Sequence, residues 1–367
     1  MADGLHGNGA GRTVGWREID LRVRNGRLSI LVLIGALTLL CQAATESSSA
    51  QEVDWQTPFV IQNVDIVDAS AVTVEFIEMS TGAVAKTLAV GPLAKGKSVP
   101  VRAYAITDLP PGKYSVVISS DAVVAAIVNQ VGGTYAGSYV GGSSASLSGT
   151  SINFPNIVRN YAGWNSPFYV QNAGTTATEV TVRFYRFSDG GEATAIIKSL
   201  QAGQSWEINP ATTGGLMDGT QYAVVATSTG QPLVGVANQF GGGTEMTYGG
   251  FASGSLTVYL PNITREYHGW NTPFVVQNVG TGDTLVTARY YDFATGSEAK
   301  VDGPHRLAAG KSLPFRPHGT VGLVDGTQYS VVVTSSAPAD GSAQPIVAIV
   351  NQVQSESEAM AYKGLIT

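Results

Sequence analysis

Apolar and polar residues alternate along most of the chain after residue 50, and this alternation predicts β-strands. In the runs 72–76, 180–184 and 286–290, apolar side chains occupy every second position, as in a strand with one face buried. The runs 114–118 and 329–333 are rich in β-branched residues and have strand length, with turn residues at their ends. No amphipathic helical stretch exceeds two turns in this region. The pattern predicts an all-β protein.

Four short signatures recur three times in the same order and divide this region into three copies. The first is a tryptophan ahead of a Pro-Phe strand, the second is Leu-x-x-Gly-x-Ser, the third leads into a tyrosine, and the fourth is an Asn-Gln pair. The repeated residues are Trp55, Trp164 and Trp270; Tyr114, Tyr222 and Tyr329; and Asn129, Asn238 and Asn351. A period near 107 residues is too long for a propeller blade or a helical solenoid and fits one β-sandwich per copy.

The repeat predicts three tandem Ig-like antiparallel sandwiches at 51–152, 153–258 and 259–367, each of about seven strands. The recurrent tyrosine after a turn is typical of a tyrosine corner, in which the hydroxyl bonds to upstream backbone. Where immunoglobulins place a cysteine two residues later, this chain has Val116, Val224 and Val331. Packed valines are therefore expected in place of a disulfide.

Residues 1–50 are predicted to be a signal peptide and a short linker. Five arginines precede the apolar run 28–40, whose 13 residues fall short of the roughly 20 that a spanning helix needs. Small residues follow, and cleavage fits after Ala43 or after Ala50. The alternatives are a buried helix, an uncleaved anchor and a lipoprotein modified at Cys41, the one cysteine. The expected location is secreted or cell surface.

Composition narrows the function classes. Charged residues make up 13% of the chain, against roughly 25% in average domains, and no Lys/Arg-rich stripe exists to contact phosphates. These features exclude a coiled coil and argue against a nucleic-acid binder. A single cysteine excludes an internal disulfide.

The order of the signatures resembles that of bacterial extracellular Ig-like modules, of the CARDB-type and fibronectin type III-like kinds. The matching features are the Asn-x-Gly turns at 172–174 and 278–280, the alternating strand, Leu-x-x-Gly-x-Ser, and Asp-Gly-x-x-Tyr or Pro-Gly-x-Tyr. The resemblance covers residues from about 51 to 367. It implies a secreted or cell-surface structural or adhesive part without catalytic residues. Copy one has Asp65 in place of the glycine, so its first turn is expected to differ.

The sequence predicts no enzyme, cofactor or metal site. The histidines lack metal-ligand spacing, no nucleophile elbow or phosphate loop stands before a helix, and no acid pair recurs in the three copies. Asp218 and Asp325 are expected to cap turns, with calcium ligation as the alternative.

Aromatic residues that vary between copies are the candidate platforms for stacking on sugars: Trp206, Tyr185, Tyr290 and Tyr291. The recurrent tryptophans are interpreted as core or inter-domain plugs, and the Asn-Gln pairs as side chains that bond backbone. The expected partner is a cell-surface polysaccharide, a cell-surface protein or another copy of the chain. Nucleic acid is not expected, and membrane contact is expected only through an uncleaved or lipidated N-terminus.

The leading hypothesis is a non-catalytic structural or adhesive surface protein, and the alternative is an array of carbohydrate-binding modules. A third hypothesis rests on the junction motif 154–164, which matches 260–270 and so occurs twice for three copies. A terminal domain one strand short would accept a strand from another chain, giving a strand-exchange filament subunit.

Overall fold

The structure, a computed structural model, describes residues 54–142, 149–355 and 358–366, and the backbone of the strands Glu18–Ile19 and Leu28–Ile34. The rest of the predicted signal peptide, with Cys41 and both cleavage sites, lies outside the described residues. The described residues form strands and one 3-10 turn, Ala103–Ala105, so the prediction of an all-β fold is confirmed.

The strands fall into three repeated units. Unit 1 contains β1 (Glu18–Ile19), β2 (Leu28–Ile34), β3 (Phe59–Asn63), β4 (Ala69–Glu78), β5 (Val84–Leu93), β6 (Ser98–Val101), β7 (Tyr114–Ser120), β8 (Val124–Gly132) and β9 (Tyr135–Val140). Unit 2 contains β10 (Ser151–Arg159), β11 (Phe168–Asn172), β12 (Thr178–Arg186), β13 (Glu192–Leu200), β14 (Ser205–Ile208), β15 (Thr220–Ser228), β16 (Leu233–Gly241) and β17 (Thr244–Gly249). Unit 3 contains β18 (Thr257–Arg265), β19 (Phe274–Asn278), β20 (Thr284–Asp292), β21 (Glu298–Leu307), β22 (Ser312–Phe315), β23 (Thr327–Ser336), β24 (Ile346–Ser355), β25 (Glu358–Lys363) and β26 (Leu365–Ile366).

Each unit has two antiparallel sheets. In unit 2 the orders are β10-β15-β12-β13 and β14-β11-β16-β17, and unit 3 repeats them with β26 added beside β18. Here the first strand pairs with the sixth and the second with the seventh, whereas an immunoglobulin constant domain pairs the first with the second and the sixth with the seventh. An eighth strand follows the seven that were expected in each copy. "Ig-like" therefore fits the sandwich architecture and not the connectivity.

Alternation places the predicted residues in the cores. Val72, Val74 and Phe76 of β4 are at most 2% exposed, and the matching residues of β12 and β20 are fully buried. In each core an aromatic ring of this strand meets the recurrent tyrosine edge to face, with centroids 6.1–6.3 Å apart. The valines at the cysteine positions are at most 1% exposed, as expected.

The tyrosine corners form as predicted. The Tyr114 hydroxyl donates to the Pro110 carbonyl at 2.7 Å. The hydroxyls of Tyr222 and Tyr329 each accept a hydrogen bond from a backbone N–H five residues upstream, at 2.8 Å. These bonds tie the loop before each strand to the strand that it feeds.

A buried asparagine closes the first turn of every unit, at Asn63, Asn172 and Asn278. Its amide donates to two carbonyls in units 1 and 3 and to three in unit 2, at 2.8–3.1 Å. Its Oδ1 accepts the N–H two residues on, at 2.7–2.9 Å. The N–H of Asp65 makes this bond too. The prediction that the first turn of unit 1 differs from the others was therefore wrong as far as the backbone is concerned. The Asp65 carboxylate accepts the Val123 N–H at 2.8 Å. A Cβ at Gly174 would lie 1.9 Å from the Gln231 side chain, which explains the glycine there.

Unit 1 takes its first strand from the apolar run that was predicted to be the core of a signal peptide. β2 pairs with β7 as β10 pairs with β15, and Ile30 faces Ile118 where Ile152 faces Ala226. The backbone there is extended, unlike the buried helix considered as one alternative. The export signal stays a prediction. Its apolar core is the same segment, Leu28–Ile34, that pairs with β7 in the first sheet of unit 1.

Candidate functional site

The contacts between successive units, called seams below, bury strand faces that are exposed where no other unit covers them. All five residues of β11 and all five of β19 are buried, because one face packs on the unit's own core and the other on the preceding unit. In β3, which no other unit of the described structure covers, Gln62 is exposed and Val60 half-buried. Tyr169 and Val236 of unit 2 accordingly belong to the hydrophobic cluster of unit 1, and Val275 and Ile349 of unit 3 to that of unit 2.

The Asn-Gln pairs join the units through side chains. Asn238 Nδ2 donates to Gln130 Oε1 at 2.9 Å, and Asn351 Nδ2 donates to Gln239 Oε1 at 2.6 Å. All four side chains are at most 7% exposed. The expectation that these pairs bond backbone holds for Gln239, whose amide donates to the Asn156 carbonyl at 2.9 Å, and was wrong for the asparagines. The recurrence of amides within apolar strands was the sequence signal for these contacts.

A buried carboxyl lies at the seam between units 1 and 2. Glu245 of β17 is 3% exposed, and burial raises its pKa to about 8. Thr247 Oγ1 donates to Glu245 Oε1 at 3.1 Å, while Glu245 Oε2 has no hydrogen-bond partner in the described structure. Gly137 of β9 permits the approach, since a Cβ there would lie 2.8 Å from Glu245 Cδ. Sequence reasoning missed this residue, because nothing recurs at its position in the other copies.

A second acidic group borders the same seam. Glu207 pairs with Lys113 of unit 1 and accepts a hydrogen bond from the Tyr169 hydroxyl at 3.2 Å. Burial, and after it the negative charge of Glu207, raises the pKa of Tyr169 well above its ordinary value. At this seam Glu245, whose pKa is about 8, is the carboxyl that can exchange protons near neutral pH. Glu245 packs against Gly137 of unit 1, so the proton that it binds lies within the contact between the two units.

A cleft of about 550 Å³ opens where the last strands of the three units meet. Its walls include Tyr139, Tyr248 and Tyr362, which occupy the same position in β9, β17 and β25. The hydroxyls of Tyr248 and Tyr362 donate to the Asn156 and Asn262 carbonyls at 2.8 and 2.6 Å. These rings thus serve their own units, and no charged cluster converges on the cleft in the described part of the chain.

The four candidate stacking residues do not form one surface. Tyr290 is fully buried in the core of unit 3, so it offers no ring face to a ligand and this candidate was wrong. Lys311 Nζ covers the ring of Tyr185 at 3.3 Å from the centroid, across the seam between units 2 and 3. Trp206 and Tyr291 are half-buried, with Lys198 Nζ 5.9 Å from the Trp206 ring.

The recurrent tryptophans are half-buried and fit the expected plugs. Trp55 stacks on Tyr135 at 5.7 Å and meets Phe240 of unit 2 at 5.4 Å, so it fills the first seam. Trp164 lies over the backbone of Gly241, where a Cβ would come within 2.4 Å of the indole. Trp270 occupies the same turn position in unit 3.

Asp218 and Asp325, for which calcium ligation is the alternative to turn capping, each pair with an arginine. Asp218 pairs with Arg159 at 2.7 Å and Asp325 with Arg265 at 2.5 Å. Within the described ranges, no group of three His, Cys, Asp or Glu side chains is placed to hold a metal ion. The same ranges contain no helix long and apolar enough to cross a membrane.

The chain was compared with protein families, with curated proteins and with solved structures. No family model and no curated protein matches the chain. Among solved structures, the chain aligns with one described as "The Triple Jelly Roll Fold and Turret Assembly in an Archaeal Virus", at 12% identity over 94% of this chain and 91% of that chain. The TM-score of that alignment is 0.13, which carries no argument about fold or function.

Proposed function

We propose that the chain is a secreted or cell-surface structural protein of three tandem Ig-like sandwiches, which works by attachment or display and not by catalysis. The observation that carries the proposal is the burial of β11 and β19 on both faces. Contacts of that kind join the units into one stiff body, whereas separate catalytic or binding domains are usually linked by smaller, more polar interfaces. A stiff array suits a spacer, an envelope component or an adhesin.

Export and processing test this proposal. With an epitope tag after residue 367, the chain expressed in bacteria should be recovered outside the cytoplasmic membrane. Its mature N-terminus should lie after Ala43 or Ala50. An uncleaved chain that stays in the cytoplasm would contradict the proposal.

A carbohydrate-binding array would predict a different result on insoluble polysaccharides, including peptidoglycan. Of the candidate platforms, Trp206 and Tyr291 keep partly exposed rings, so binding of this kind should be weakened by Trp206→Ala. Retention that this substitution leaves unchanged, or no retention, would favour the structural role.

The place of β2 supports a second candidate, a filament subunit assembled by strand exchange. If export removes Leu28–Ile34, the β7 edge loses its partner, and an unpaired edge accepts a strand from another chain. The chain without residues 1–50 should then polymerise, and a synthetic peptide of residues 28–34 should block polymerisation. A cleaved chain that stays monomeric would rule out this candidate.

A further inference from the structure

The outer face of unit 1 repeats a surface that units 2 and 3 bury. Five positions make up this surface in each unit: Val60, Gln62, Ala125, Ile127 and Asn129 in unit 1; Tyr169, Gln171, Val234, Val236 and Asn238 in unit 2; Val275, Gln277, Val347, Ile349 and Asn351 in unit 3. In units 2 and 3 each of these residues is at most 7% exposed. We call the unit 1 set the head face. Ile127 on this face is 40% exposed, and β1 pairs with β8 at this point through its backbone.

Unit 3 carries the matching surface at the other end of the chain. In unit 2, Asn351 of the next unit contacts Gln239 and Met246, and Lys311 covers Tyr185. The same positions in unit 3 are Gln352, Met360 and Tyr291, which we call the tail face. Met246 is 5% exposed and Met360 is 50% exposed, because no other unit of the described structure covers Met360.

We propose that the head face of one copy docks on the tail face of a second copy, repeating the contact that joins units 1 to 2 and 2 to 3. The occupant is another copy of this chain because the interface is already present twice within it. By this repetition, Asn129 of one copy donates to Gln352 of the next. The contact needs no strand exchange and does not depend on where the chain works.

A head-to-tail contact of this kind is heterologous. It grows into a filament when the rotation between copies does not close, and into a ring when it does. Either product is consistent with the chain, and a symmetric dimer that stops at two copies is not.

The experiment is sedimentation velocity of the purified chain over a range of concentrations. The weight-average mass should rise beyond that of a dimer. Ile127→Arg places a charge on the head face, and Met360→Arg places one on the tail face. Each should raise the association midpoint by roughly tenfold or more, since burying an unpaired charge is strongly unfavourable. Both residues are exposed in the single chain, so both variants should fold as the parent does.

Mixing the two variants separates this interface from other modes of assembly. Ile127→Arg keeps an intact tail face and Met360→Arg an intact head face, so the mixture should form dimers and stop there. The matched control is Ile197→Arg, at a 61% exposed apolar position of β13 outside both faces, which should assemble like the parent chain. A parent chain that stays monomeric at all concentrations would overturn the proposal. So would assembly that survives Ile127→Arg.

Discussion

Two buried polar groups, the hydroxyl of Tyr290 and the carboxyl of Glu245, occupy places where their counterparts in other copies are apolar or small. Phe76 and Phe184 hold the position of Tyr290 in the first two cores. Ala136 and Ala359 hold that of Glu245 in β9 and β25. Burying a polar group at a position that is apolar or small in the other copies costs desolvation free energy, and a substitution at that position can measure this cost.

Tyr290→Phe should leave the free energy of unfolding unchanged or raise it. The Tyr290 hydroxyl is buried without a hydrogen-bond partner in the described structure, and burial, followed by the charge of Asp302, raises its pKa. Removing an unbonded buried hydroxyl removes a desolvation cost of about 1 kcal/mol or more. The control is Tyr329→Phe, which removes the bond to the Val324 N–H and should destabilise by about 1 kcal/mol. Urea unfolding of both variants checks the prediction, and a loss at Tyr290 equal to that at Tyr329 would contradict it.

Glu245 should make the protein less stable as pH rises. Its folded pKa of about 8 lies above the ordinary value of 4.5, so between these values the folded state binds more protons than the unfolded state. Stability is then fully present below the unfolded pKa and falls through this window by up to about 1.4 kcal/mol per pH unit.

Glu245→Gln removes the titrating group, so its stability should depend less on pH than that of the parent. Urea midpoints of both proteins at several pH values between about 5 and 8.5 provide the measurement. Parallel pH profiles would show that Glu245 does not titrate in this window.

The sequence predicted individual residues correctly where their environment is formed within a single unit. The alternating core positions, the tyrosine corners and the packed valines depend on contacts within a copy, and the repeat displays them three times. The prediction for Tyr290 was wrong although its register with Phe76 and Phe184 is visible in the sequence, since it rested on the variation of this residue between copies and not on its place in the strand. Glu245 gave no signal, because its burial depends on Gly137 of another unit.

Among the elements, β2 decides whether unit 1 is complete. The junction motif supplies units 2 and 3 with β10 and β18, while unit 1 uses Leu28–Ile34 from the predicted export signal. One segment thus has two incompatible uses, since a signal peptide that is removed cannot remain in a sheet.

Removing residues 1–50 should raise deuterium uptake in β7. Without β2, backbone groups of Tyr114–Ser120 that face Leu28–Ile34 lose their partners and exchange with water. β15 is the control inside the same molecule, because it keeps β10 on that side and should stay protected. Hydrogen-exchange mass spectrometry of the long and short chains gives the comparison. Equal uptake in β7 of the two chains would show that β2 does not protect it.

Strand positions could be read from alternation and turn residues, but their partners could not. The sequence indicated a sandwich, and the pairing of first with sixth strand appears only in the structure. The eighth strands β9, β17 and β25 were missed as separate elements. They are short and rich in glycine, alanine and tyrosine, and they are held partly by neighbouring units, which periodicity within one copy does not reveal.

In the whole molecule, the contact between units 1 and 2 is repeated between units 2 and 3, as the sequence signatures are repeated along the chain. Units 2 and 3 each use one face of the second sheet to cover the unit before, and an asparagine from that face donates to a glutamine of the preceding unit. The seams combine apolar packing with buried amides that need their partners. The amides therefore fix the relative position of the units more narrowly than apolar contact alone would.

Asn238→Ala should loosen the first seam, and Asn129→Ala is its matched control. The first substitution removes the donor to Gln130, whose side chain is 5% exposed, and an unbonded buried amide costs about 1–3 kcal/mol. Asn129 has the same register on the head face, which no other unit of the described structure covers, so its substitution should cost less than about 0.5 kcal/mol in dilute protein. Urea unfolding gives the two free energies, and hydrogen exchange should show faster uptake in β9 and β17 for Asn238→Ala alone. Equal losses for both variants would mean that the asparagine stabilises its own sheet and not the contact between units.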